Sequence, residues 1–137
     1  MHGSAKRWNT KSDQKMRYLI FLLVIFQLSC SSDVTVKTSK LGTSEFSVSS
    51  WSKGTQEQRA TMVHSFLANH KVEGMEVKEV YALLGKSTAY YEYDEFPAYI
   101  IGPKSIESVY GKGYIFAFPI DRSTGKVRKY IIEPDIK

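Results

Sequence analysis

Four stretches stand out in the pattern of apolar and polar positions. Residues 18–28, YLIFLLVIFQL, are apolar everywhere except at Gln27. Residues 31–50 hold ten Ser/Thr in twenty positions, with apolar residues only scattered among them. From Thr55 to Leu84 the apolar residues recur at helical spacing, and from Pro97 onward they alternate.

The helical part predicts two elements. Thr55 and Gln58 have the spacing of a capping box, and Glu57 lies in the first turn, where the helix dipole favours an acid. Met62, Val63, Phe66 and Leu67 then share one face, giving about four turns that end near Asn69. A second helix is expected over EVKEVYALLG, with Val77, Val80, Leu83 and Leu84 on its buried face and Gly85 as the stop. Both are too short to stand alone, so they must pack on something.

The sheet follows. PAYIIG, from Pro97, is a short strand. GYIFAFPI is a stronger one, with Tyr114, Phe116 and Phe118 on one face and Ile115 and Ala117 on the other. DRSTG turns the chain, and KVRKYIIE returns as a hairpin partner whose register the pattern leaves open. The expected fold class is α+β: two N-terminal helices packed on one face of a three- or four-stranded antiparallel sheet.

The apolar run at 18–28 changes the picture of the N-terminus. Eleven helical residues span roughly 16 Å, whereas a bilayer core of roughly 30 Å takes about twenty. Lys15 and Arg17 precede the run, and Ser29 and the chain's single cysteine, Cys30, follow it. This segment resembles a bacterial lipoprotein signal peptide, in which the cysteine is diacylglycerated and the chain is cut before it. Gln27 departs from the usual aliphatic residue. The resemblance implies a signal peptide at 1–29, with 1–15 a possible mis-assigned start because Met16 offers another. It also implies a lipidated Cys30 at the head of a flexible Ser/Thr-rich tether, 30–50, and a folded domain at 51–137. Acyl chains on Cys30, palmitate among them, would hold the protein on a membrane.

Charge then loses its apparent meaning. The chain carries a formal +5 and a pI near 9.2. Residues 1–29 contain five Lys/Arg and one acid, leaving 14 basic and 13 acidic residues from Cys30 on. A net +1 gives no reason to expect a nucleic-acid partner.

The element order and the stretch HKVEGMEVKEVYALLGKS resemble the SmpA/OmlA (BamE-like) family of small bacterial lipoproteins. Gly74, Met75, Val80, Leu84 and Gly85 match its motif. Trp51, Arg59, Met62 and Val63 are similar to a helix of its relatives. So are Tyr99 and Gly102 in the first strand, and Phe118, Gly125 and Val127 in the hairpin. Glu76 replaces the family's capping hydroxyl and Ser87 its proline, and the Gln-Gly-Asn segment through which the assembly subunit docks has no counterpart. The five motif residues have a structural explanation: glycines at positive φ, and Met75, Val80 and Leu84 in the core.

Candidate chemistry is sparse. GKS in LLGKST lacks the earlier glycine of a phosphate loop, because Val80 stands there. His64 and His70 are six apart and lack a ligand partner at metal spacing. No G-x-S-x-G occurs. No catalytic residue, metal or cofactor is expected.

The remaining feature is the aromatic group Tyr90, Tyr91, Tyr93, Phe96 and Tyr99. Tyrosine is enriched at binding hot spots, so these five are candidate partner-contact residues. Alternatively, the rings cover the open face of the sheet. The expectation is a non-enzymatic, membrane-tethered interaction module with a protein partner, lipid-anchored in the bacterial envelope on the periplasmic face of the outer membrane, with envelope assembly the role that the resemblance implies. The alternative is an inhibitory or ligand-binding surface lipoprotein, since helix–helix–sheet units resemble the repeat of β-lactamase inhibitory proteins.

Overall fold

The computed structural model describes Gly3, residues 37–92 and residues 96–137; Cys30 and Tyr93 lie outside the described residues. Residues from 37 on belong to one compact unit, Ser32–Lys137. Besides a helical stretch at residues 37–39, its helices are α1 (Val48–Lys53), α2 (Gln56–Asn69) and α3 (Val77–Leu84). Its strands are β1 (Ala98–Ile101), β2 (Glu107–Ser108), β3 (Gly111–Lys112), β4 (Tyr114–Ala117), β5 (Ile120–Asp121), β6 (Lys126–Val127) and β7 (Ile131–Glu133). The fold is α+β, with the helices preceding an antiparallel three-stranded sheet of order β1-β4-β7.

α2 begins as its sequence predicts. The Thr55 hydroxyl accepts from the Gln58 N–H, and the Thr55 N–H donates to the Gln58 side chain at 2.8 Å. Ala60, Met62, Val63 and Phe66 form its buried face. α3 buries Val80 and Leu84 and starts where the Glu76 N–H donates to the Glu79 carboxylate at 2.7 Å.

Alternation along the strands sorts the sheet into two faces. Tyr99 and Ile101 of β1, Tyr114 and Phe116 of β4 and Ile132 of β7 meet the helices, with Tyr99, Phe116 and Ile132 in register across the strands. Phe66 packs edge-on against Phe116 and Phe118, at 6.1 and 6.4 Å between centroids. Ala98, Ile115, Ala117 and Ile131 point the other way, into a second cluster with Tyr91 and Phe96. Every residue of β4 is buried, as in strands covered on both sides.

The returning hairpin is broken in two. β5 and β6 pair across the 121–125 turn, and β7 then joins β4 after residues 128–130. The small β2–β3 hairpin has no counterpart in the expected elements.

The expected tether needs correction. Residues 37–50 are not a free linker. Thr38 is buried and hydrogen-bonds His64 at 3.1 Å, while Leu41 and Phe46 pack on the helix-side core. The Phe46 ring lies 4.9 Å from Phe66, and its N–H donates to the Ser65 hydroxyl. α1 also starts inside this segment, capped by the Ser47 hydroxyl accepting from the Ser50 N–H. The folded part therefore begins before Trp51.

Candidate interaction surface

The structure separates the five aromatic candidates. Tyr99 is fully buried, and Tyr91 and Phe96 are 5% and 6% exposed. Of the four candidates among the described residues, only Tyr90 faces solvent, at 72%. Burial removes Tyr91, Phe96 and Tyr99 from any contact surface. Two of them cover the sheet face opposite the helices. Glu92, directly after Tyr91, adopts φ 52°, so the backbone is not extended at that residue.

Tyr99 has a structural task. Its hydroxyl donates to the Gly85 carbonyl at 2.6 Å, and the Trp51 indole N–H donates to the Leu84 carbonyl at 2.9 Å. The last carbonyls of a helix have no partner within it. Here α1 and β1 each supply one donor to the end of α3. The motif residues surround this junction. Val80 and Leu84 are core, Met75 is half-buried against it, and Gly74 and Gly85 have φ of 86° and 72°. The Gly74–Met75 loop is tied to β6, since the Gly74 N–H donates to the Val127 carbonyl and the Val127 N–H to the Met75 carbonyl.

On the opposite face Tyr91 and Tyr110 meet at 5.3 Å, and the Tyr110 hydroxyl donates to Glu133 at 3.3 Å. Burial, then the Glu133 charge, pushes the Tyr91 phenol up to about 12, and the same two causes raise Tyr110. Burial raises Tyr99 as well. Phenols held protonated in this way are the reverse of an activated tyrosinate nucleophile. The histidines are structurally engaged: His64 bonds Thr38, while His70 stacks on Phe66 and bonds its carbonyl. Among the described residues, no group of three His, Cys, Asp or Glu side chains could hold a metal ion.

A different surface stands out. A groove of about 610 Å³ runs beside β1. Thr88, Ala89 and Tyr90 line it together with Ile100, Lys104 and the Val109–Lys112 turn. Val109 is 93% exposed, and it and Tyr90 are two of the three large hydrophobics exposed among the described residues. The Ser108 hydroxyl holds the turn by accepting from the Tyr110 N–H and donating to the Gly111 carbonyl. Sequence reasoning passed over Val109, Lys104 and Lys112. The available signal was a valine in a hairpin turn, where Gly, Asn or Asp is the usual choice.

No family model, curated protein or solved structure matches this chain.

Proposed function

We propose that this chain is a lipid-anchored, non-enzymatic interaction domain of the bacterial envelope, held through Cys30 on the periplasmic face of the outer membrane. The observation that carries the reading is in the sequence: a basic lead-in, an eleven-residue apolar run, Ser29 and the single cysteine, in that order. A run of that length suits a cleaved signal better than a span. The reading also draws on the buried, protonated phenols of Tyr91 and Tyr99 and on the structural bonds of His64 and His70.

The likeness to SmpA/OmlA proteins is proposed on a narrower footing. Its five motif residues occupy turn and core positions, which supports a shared architecture rather than a shared partner. The groove beside Tyr90 and Val109 favours, as a second reading, a ligand-binding or inhibitory surface lipoprotein.

Metabolic labelling with an alkyne palmitate tests the anchor. The unmutated chain should be labelled and membrane-bound, whereas Cys30→Ala should be unlabelled and either soluble or retained as an uncut precursor. Absence of label on the unmutated chain overturns the lipoprotein reading.

A further inference from the structure

We propose that the groove between Tyr90 and the β2–β3 turn is the docking site for an acidic protein segment that carries an apolar side chain between its carboxylates. This rests on the interaction-domain reading above and supplies the chemistry of the partner.

The apolar half of the argument is exposure. Val109 stands at the tip of a two-residue turn with almost its whole side chain in water, and Tyr90 faces the same hollow, with Ile100 also on its lining. Single exposed hydrophobics are ordinary; two lining one groove of ligand size form a patch.

The polar half is charge. Among the described residues, Lys104 and Lys112 are the only Lys, Arg, Asp or Glu on the lining, and neither is ion-paired. Glu107 sits opposite Lys112 in the hairpin register. It lines the adjoining hollow, which shares Val109 and Tyr110 with the groove and also holds Glu133 and Pro134. The groove is therefore basic, and carboxylates flanking an apolar anchor complement it.

The edge of β1 narrows the binding mode. The Ala98 and Ile100 N–H groups already donate to the Ser87 and Thr88 hydroxyls, and the Ala98 carbonyl accepts from the Thr88 and Ala89 N–H groups. At the far end Gln56 donates to the carbonyls of Gly102 and Lys112. The occupant is thus recognised through its side chains and not as an added strand.

The test uses the full chain in detergent micelles and fluorescein-labelled octapeptides with Leu or Phe flanked by Glu, by Gln or by Lys. Fluorescence anisotropy should show saturable binding of the Glu peptides only, weakening between roughly 0.05 and 0.5 M salt. The double variant Lys104→Gln/Lys112→Gln should bind about tenfold more weakly, a loss of about 1.4 kcal/mol. Val109→Ser should lose about threefold. These side chains are exposed, so thermal melts should be unchanged. Equal binding of the Glu and Gln peptides, no binding, or variants that bind like the unmutated chain would each overturn the proposal. Sedimentation showing a dimer that Val109→Ser dissolves would assign the groove to a second copy and overturn it too. Palmitate labelling is read separately. A labelled chain that binds no peptide rejects the groove alone, and an unlabelled chain that binds rejects the anchor alone.

Discussion

The sheet has two covered faces, and they are covered by different means. On one side, helices bring Trp51, Phe66 and Val80 against Tyr99 and Phe116, all within 1% of complete burial. On the other, a loop and a hairpin bring Tyr91, Phe96 and Tyr110 over Ala98, Ile115 and Ala117. Ala98 and Ala117 are partners across β1 and β4, so the second face is shallow where they meet. Large rings carried by a loop and a short hairpin fill that depression. An aromatic segment beside a sheet of small residues is thus better explained by the volume it must fill than by a partner it might touch.

The largest test of this comparison is on the helix face. Leu84→Ala should destabilise the fold by about 4 kcal/mol as a buried large-to-small change. Lys78→Ala, on the exposed side of the same helix, should leave the melting temperature unchanged. Equal effects of the two changes in thermal melts would remove the distinction between the faces of α3.

Next in size is the loop face. Tyr91→Ala should cost about 3 kcal/mol, since the ring roofs the second cluster. Tyr90→Ala, one residue away and exposed, should have no measurable effect on denaturant midpoints. If Tyr91→Ala were also silent, the opposite face would not be a core, and the comparison would fail.

The smallest effect is alkaline. An unfolded tyrosine releases its proton near pH 10, whereas folded Tyr91 holds it to about 12. The folded state is favoured in full below about pH 10 and loses that advantage as pH rises towards 12. Tyr91→Phe should flatten the fall of melting temperature across that window, because a group bound more tightly in the fold has been removed. Tyr99 contributes in the same direction from the helix face and should leave a residual slope.

Much of the helix side was readable because its signals are local. The Thr55 capping box, the Met62–Leu67 spacing and Gly85 after Leu84 each depend on residues within a few positions. α1 was not readable for the opposite reason. Its six residues, VSSWSK, bury only Trp51, so they show no period, and their serines resemble a linker. What holds α1 is distant: the Trp51 bond to Leu84 and the Arg59 Nε–H donating to the Trp51 carbonyl at 2.9 Å. Ser/Thr density misled in the same way, because Ser47 caps a helix and Ser65 receives the Phe46 N–H. Tyr91, Phe96 and Tyr99 were misjudged as contact residues because sequence shows ring identity but not what lies beneath a ring. The β4 alternation, by contrast, was enough to assign both of its faces.

The indole of Trp51 has a spectroscopic consequence. The chain has two tryptophans, Trp8 and Trp51. In a chain cut before Cys30, as proposed above, the Trp51 indole is the single such fluorophore, 5.9 Å from the Tyr99 ring and hydrogen-bonded to the last turn of α3. Its emission therefore senses α1, α3 and β1 together. Excitation of Tyr99 feeds the same indole, so a loss of tyrosine-sensitised emission would mark separation of helix from sheet even while the backbone keeps its helical circular dichroism.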